Sequence, residues 1–340
     1  MPAEPLLSPE ALALESRAKE LSAKVAALVD DLAESFLGST EEIVVPLLHA
    51  ALAGCHVLLE GMPGLGKTLL AKALAHGLGG GFSRIQCTPD LMPSDVTGTE
   101  ILEDREQGGV GFRFRKGPVF GNLVLADEIN RATPKTQSAL LEAMEECAVT
   151  AGGQSFELPQ PFMLVGTQNP IELAGTYPLP EAQLDRFALH LLVDYPNRNT
   201  LRTILEQKTG HAIDFPAPRL SPPEVLEVRT MSEEVLVGPH LSAWLAELLL
   251  ATSKSAAPGE DGEHWVRLGA SPRAGLAMIR IARVKALLAG RFHVSRSDLE
   301  ELALPALRHR VLLGFEARAR GIGVADLLSG WFAAAAGAGK

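Results

Sequence analysis

Three short stretches, His56-Val57-Leu58-Leu59, Leu123-Val124-Leu125-Ala126 and Phe162-Met163-Leu164-Val165-Gly166, are apolar almost throughout. A strand that faces water on one side alternates polar and apolar positions. Runs without that alternation predict parallel strands covered on both faces. Arg84-Ile85-Gln86-Cys87 adds a shorter strand candidate. Between the second and third runs the period changes: Ala139, Leu140, Ala143 and Met144 share one face of a helix that Thr133 would cap and Pro134 would begin. Leu12 to Leu37 and Ile43 to Leu52 read as earlier helices. Strands alternating with helices make a doubly wound α/β domain.

Two hairpins interrupt this pattern. Thr99 to Glu103, a turn at Gly108-Gly109 and the alternating Phe112-Arg113-Phe114-Arg115 predict the first. Ala148 to Ala151, Gly152-Gly153 and Ser155 to Leu158 predict the second. From Tyr195-Pro196 onward the periodicity is helical: Leu201 to Gln207, Glu224 to Val228, Leu241 to Leu250, Pro272 to Leu288 and Asp298 to Leu313, with breaks such as Ala257-Pro258-Gly259 and Gly290. Ala333 to Gly339 is a tail of small residues. A chain of 340 residues is long for one core, so two domains in close contact are expected: an α/β domain over 1–195 and an all-α domain over 196–340.

Composition narrows the chemistry. The 31 Lys+Arg against 41 Asp+Glu give a net charge of -10, which argues against a surface built to neutralise nucleic-acid phosphates or anionic lipid. Cys55, Cys87 and Cys147 contain no C-x-x-C pair, so neither a zinc site nor a disulfide framework is suggested; buried thiols in a reducing cytoplasm are the simpler reading. Met1 to Glu20 carries acidic residues and no apolar core segment, which is not a secretory pattern. The longest apolar stretch, Ile43 to Leu59, is interrupted by Pro46, His49 and His56 and reads as a helix plus a buried strand, not a membrane span.

Directly after the first strand stands Gly61-Met62-Pro63-Gly64-Leu65-Gly66-Lys67-Thr68, a complete G-x-x-x-x-G-K-[ST] loop, and Leu69-Leu70-Ala71-Lys72-Ala73-Leu74 begins a helix. That order places backbone N–H groups and the positive end of a helix around an anion. Gly61 through Leu69 are therefore candidate ATP-binding residues. Lys67 would reach the β- and γ-phosphates, and the Thr68 hydroxyl would ligate Mg²⁺.

The second apolar strand ends in Asp127-Glu128. Beside a phosphate loop, Asp127 would hold Mg²⁺ and Glu128 would orient and deprotonate the attacking water; alone, such a pair is more often a strand end entering a loop. The third strand ends in Thr167-Gln168-Asn169-Pro170. Asn169 is placed to hydrogen-bond a γ-phosphate or the water, although Asn-Pro is also a common turn. Two arginines are candidates for transition-state charge. Arg186 stands near the end of Glu181 to Phe187, and Arg273 follows an N-cap, Ser271, and Pro272. For each, a solvated arginine or a local pair, such as Arg186 with Asp185, is the plainer alternative.

Taken together these stretches resemble the AAA+ ATPases, and within them the MoxR family. The resemblance rests on GMPGLGKT (Gly61 to Thr68), TPDLMPSDVTGTEI (Thr88 to Ile101), FRFRKGPVF (Phe112 to Phe120), LVLADEINRATPKTQSALLEAMEE (Leu123 to Glu146), GTQNPIELAGTYPLPEAQLDRF (Gly166 to Phe187) and GASPRAGLAMIR (Gly269 to Arg280). It implies a P-loop αβα domain with a parallel sheet, followed by an all-α lid. By that resemblance Lys67 and Thr68 look like Walker A, Asp127 and Glu128 like Walker B, and Asn169 like sensor 1. Arg186 looks like an arginine finger acting on an adjacent subunit, and Arg273 like sensor 2 in the lid. The first hairpin is similar to the helix-2 insert and the second to the pre-sensor-1 insert, both facing a ring pore. Arg131 is a further candidate for a subunit contact. Where the family carries a V-G-Q-like segment near the adenine, this chain has Phe36-Leu37-Gly38-Ser39, with Gly38 as a candidate backbone contact.

The expected activity is ATP hydrolysis with Mg²⁺ by a hexameric, chaperone-like remodeller of protein clients. The resemblance implies a von Willebrand factor A domain partner and a role in maturation or metal-cofactor insertion. A nucleotide-gated scaffold with little turnover is the alternative. A nucleic-acid motor is a third option, for which Arg113, Arg115 and Lys116 form a small basic cluster, but the net charge of -10 and 5% aromatic content weigh against it.

Overall fold

The computed structural model describes residues 9–36, 39–104, 110–171, 175–207, 215, 217–253 and 265–337. Gly38, the Gly108-Gly109 turn and the Ala257-Pro258-Gly259 break lie outside the described residues. The first half runs α1 (Pro9–Ser35), α2 (Val45–Leu52), β1 (Val57–Gly61), α3 (Lys67–Gly77), β2 (Phe82–Gln86), α4 (Pro93–Thr97), β3 (Gly98–Asp104), β4 (Val110–Lys116) and β5 (Leu123–Asp127). It continues with α5 (Pro134–Glu146), β6 (Ala148–Ala151), β7 (Gln154–Glu157), β8 (Met163–Gln168), α6 (Glu181–Leu184) and β9 (Leu189–Val193).

Five of these strands form one parallel sheet in the order β2-β5-β8-β1-β9. The continuous apolar runs have their reason in its two faces. Val57, Leu59, Leu123, Leu125, Met163 and Val165 belong to a core shared with α1, α2 and α3. The intervening Leu58, Val124, Ala126 and Leu164 belong to a second core under α5. Because successive side chains point to opposite faces, every position is buried and alternation disappears.

The order also fixes the site. The strand leading into the glycine-rich loop lies beside β8, and β8 lies beside the strand that ends in Asp127, so β1, β5 and β8 deliver their carboxyl ends to one edge. β9 was not expected from the sequence. It pairs with the other side of β1, Leu58 opposite His190, and its burial alternates, with Leu189, Leu191 and Val193 inside and Leu192 exposed. An edge strand has no all-apolar run to mark it.

Both expected hairpins form, β3 with β4 and β6 with β7, each antiparallel. They are joined to each other: the Phe114 and Phe156 rings stack with centroids 4.3 Å apart at 22°.

The second half contains α7 (Arg198–Gln207), α8 (Pro222–Glu233), α9 (Pro239–Ala251), β10 (Val266–Leu268), α10 (Pro272–Leu288), α11 (Arg296–Leu307), β11 (Leu312–Leu313), α12 (Phe315–Ala319) and α13 (Val324–Gly337). Two details correct the sequence reading. The helix expected to reach Leu313 stops at Leu307, because the residues that follow turn inward, and β11 then pairs antiparallel with β10. Ala333 to Gly337 of the small-residue tail form the end of α13, whose Leu327, Trp331 and Ala335 are buried and which packs on α9 through Phe332 and Trp244. Alanine has the highest helix propensity, so low side-chain content there does not mean a loose end.

α1 ties the halves together. Its Arg17 and Lys24 pair with Glu227 and Glu224 of α8 at 2.7 and 2.6 Å, while Leu21, Val25 and Leu28 enter the core that continues through α8 to α11. No helix among the described residues is long and apolar enough to cross a membrane.

Candidate active site

The turn between β1 and α3 is possible only with the glycines it has. Gly64 and Gly66 adopt φ of +81° and +84°, in the left-handed region that costs a residue with a Cβ about 1–2 kcal/mol, and Gly66 is also the N-cap of α3. Nothing lies within 4 Å of where a Cβ on Gly64 would stand, so this position faces open space. Met62, Pro63 and Gly64 are exposed on its rim, and Leu65 packs back on the core.

Lys67 opens α3 and is only 9% exposed. Its ammonium donates to the carbonyls of Gly61 and Met62, the latter at 2.8 Å, and burial holds it below the usual lysine range. The ammonium is thus held by two carbonyls of its own loop.

At the end of β5, two strands from β1, Asp127 is 8% exposed and surrounded by donors. The Thr167 hydroxyl donates to Oδ1 at 2.7 Å, Arg84 donates to Oδ2 at 2.6 and 3.1 Å, and the Thr68 hydroxyl lies 3.4 Å from the same Oδ2. The Thr68 and Asp127 oxygens are hard donors on adjacent elements, which suits Mg²⁺. Among the described residues no cluster of three His, Cys, Asp or Glu side chains could hold a metal. An ion held by this pair would draw its other ligands from phosphate and water, and Arg84 would compete with it for the Asp127 carboxylate.

Glu128 has a left-handed backbone, φ 56° and ψ 51°, which a non-glycine residue keeps only where its surroundings enforce it. Its N–H donates to Thr167 Oγ1 at 2.8 Å, and its carboxylate accepts from Arg131 at 3.0 Å and Gln86 at 3.3 Å. Asn169, 7% exposed at the end of β8, uses Oδ1 to accept the Ile171 N–H at 3.2 Å, which is the turn geometry that Asn-Pro suggested.

Lys67 and Thr68 after β1 and Asp127 and Glu128 after β5 thus lie at the same edge of the sheet, with Asn169 at the end of β8, the strand between them. Arg186 and Arg273 meet elsewhere. Arg186 pairs with Glu145 of α5 at 2.8 Å, not with Asp185, and Arg273 pairs with the same Glu145 at 2.7 Å. Asp185 instead accepts from Ser271 and Arg310.

Sequence reasoning missed Arg84, Gln86 and Arg310. The first two had a signal. They are two residues apart on β2, hence on one face, and Gln86 is in register with Asp127. Arg310 had none, since apart from the Ala306 carbonyl its partners, the Asp185 carboxylate and the carbonyls of Asp185, Phe187 and Ala188, lie far away in the chain.

A parallel sheet in this order, with a phosphate loop after β1, paired acids after β5 and a helical unit behind, defines the class: an AAA-type P-loop protein. A model of the ATPase family associated with various cellular activities (AAA) matches residues 56–189, and one of the AAA lid domain matches residues 263–329. The uncharacterized protein YeaC of Bacillus subtilis is 43% identical, over 83% of this chain and 85% of YeaC. Chaperone MoxR1 of Mycobacterium tuberculosis is also 43% identical, over 82% of this chain and 73% of MoxR1. A crystal structure of a candidate ATPase from Cytophaga hutchinsonii shares the fold with a TM-score of 0.87 at 36% identity, covering 96% of this chain and 98% of that one. The chain belongs to the MoxR family of AAA+ ATPases.

Proposed function

We propose that this protein hydrolyses ATP with Mg²⁺ as a ring-forming, chaperone-like remodeller of protein clients. The observation that supports this most is the convergence of Lys67, Thr68, Asp127 and Glu128 around one open glycine loop. Lys67 exchanges the Gly61 and Met62 carbonyls for phosphate oxygens. Thr68 and Asp127 hold Mg²⁺, which when bound offsets the charge that builds on the leaving phosphates. Glu128 takes the proton of the attacking water, held at a fixed angle by its strained backbone and by Thr167. Asn169 supplies an amide to the γ-phosphate or the water.

Arg186 contributes in trans to the site of a neighbouring subunit, which makes hydrolysis depend on assembly; such a charge is worth on the order of a thousandfold in rate. Arg273 rides on the 196–340 unit and couples the state of the nucleotide to that unit's position against 1–195. The family suggests a hexameric ring in the cytoplasm, a von Willebrand factor A domain partner, and clients undergoing maturation or metal-cofactor insertion.

One observation favours a second reading, a nucleotide-gated scaffold with little turnover: both arginines are engaged on their own chain. Mixing Arg186→Ala and Glu128→Gln subunits separates the two. Each lacks what the other supplies, so hydrolysis should return on mixing; no recovery in proven mixed assemblies would remove Arg186 from the reaction.

A further inference from the structure

Glu145 holds both arginines at once. Its Oε2 accepts from Arg186 Nη2 at 2.8 Å and its Oε1 from Arg273 Nη2 at 2.7 Å, while Arg186 Nη1 donates to the Leu141 carbonyl at 2.7 Å. The three side chains come from α5, from the residues after α6, and from the start of α10, so they join the two halves of the molecule.

Their meeting is built into the backbone. Asp185 accepts from the hydroxyl of Ser271, the N-cap of α10, at 2.8 Å, and from Arg310 Nε at 2.8 Å. Arg310 also donates to the carbonyls of Asp185, Phe187 and Ala188 at 2.9, 2.6 and 2.9 Å. The residue before Arg186 and the cap two residues before Arg273 are thereby fastened together, and the two guanidiniums are presented as a pair.

The carboxylate that receives them is the loose part. Side-chain exposure is 36% for Glu145, 29% for Arg186 and 49% for Arg273, a setting in which ion pairs are weak and exchange readily. A single carboxylate faces two guanidiniums, and phosphate is a stronger partner for arginine when it arrives. Beside them a cleft of about 250 Å³, lined by Leu141, Glu142, Gln183 and Arg186 among others, leaves the Arg186 side chain room to swing.

We propose that Glu145 is a resting-state counter-ion that withholds Arg186 and Arg273 from phosphate and must be displaced before either serves hydrolysis. This rests on the reading that Arg186 acts on a neighbouring subunit. The pair is kept in register by Asp185 and Arg310 and kept silent by Glu145.

The test uses the full chain and its Glu145→Gln variant, with Glu142→Gln, one turn away on the same helix, as the control. Arginine modification by phenylglyoxal, followed residue by residue by mass spectrometry, should speed up about two- to fivefold at Arg186 and Arg273 in Glu145→Gln, the range expected for losing an exposed ion pair. No such change is expected in Glu142→Gln. ATP turnover at low chain concentration should rise by about the same factor, with thermal stability unchanged. Equal modification rates, or faster modification with turnover equal to or below wild type, would overturn the proposal. If wild-type turnover per chain is independent of concentration, the trans reading fails instead, and the modification rates still decide whether Glu145 holds the pair.

Discussion

Lys67 and Arg310 are both buried cations, 9% and 6% exposed, and the molecule treats them in opposite ways. Arg310, at the joint between the halves, meets one carboxylate and several fixed carbonyls drawn from two elements, a set that only this fold brings together. Lys67, in the glycine loop, meets two carbonyls of its own turn. The same contrast extends to their neighbours. Asp127 and Glu128 are borrowed by Arg84 and Arg131, which are themselves partly exposed, and Arg186 and Arg273 rest on Glu145. On the proposed function, the charges that would change partners are held by local or solvent-facing partners, whereas the charge at the joint is desolvated and surrounded by fixed acceptors.

Arg310→Met should have the largest effect on stability. It leaves Asp185 with Ser271 alone and takes the donor from several buried carbonyls, so unfolding free energy is expected to fall by about 3–5 kcal/mol, read by denaturant titration. A loss below about 1 kcal/mol would mean that the joint is not fixed by this residue. Asp298 offers a second, smaller test of a frame charge. Burial pushes its carboxyl up, but Arg291 and Ser295 outweigh burial and hold it at about 2. Its folded value lies below the unfolded one of about 3.9, so its contribution of about 2 kcal/mol is present above about pH 4 and lost as pH falls through about 2. Asp298→Asn should be less stable near neutrality and should show a flatter decline between about pH 4 and pH 2. Equal slopes in the two proteins would remove the charge from the frame.

Arg84→Gln probes the opposite behaviour and should change least. With Arg84 half exposed, stability should move by less than about 1 kcal/mol. Freed Asp127 should lower the Mg²⁺ concentration needed for nucleotide binding by about two- to fivefold. A higher Mg²⁺ requirement would make Arg84 a support for Asp127 instead of a competitor.

The same contrast explains what was legible in the sequence. The glycine loop, Asp127-Glu128 and the β1, β5 and β8 strands are local patterns, set by short-range geometry and burial on two faces; the three strands form as expected, with the loop after β1 and the acids at the end of β5. The Thr133–Pro134 helix start and both hairpins were readable for the same reason. The strand β9 was not, because an edge position removes the apolar run. Nor was the joint. Asp185 had a plausible partner next to it in Arg186, yet it bonds Ser271 and Arg310, and nothing in sequence spacing links positions so far apart. Arg84 was readable in principle, as a charge on the strand facing Asp127, but a single arginine carries little weight until the strand order is known.

Binding of Mg-ATP to wild type and Lys67→Ala, compared by titration calorimetry with folding of both checked by thermal unfolding, bears on the phosphate loop most directly. Binding is expected to weaken in Lys67→Ala by at least about a hundredfold, equivalent to about 2.7 kcal/mol. A folded Lys67→Ala protein that takes up Mg-ATP as tightly as wild type would contradict the assignment of this loop as the nucleotide's seat.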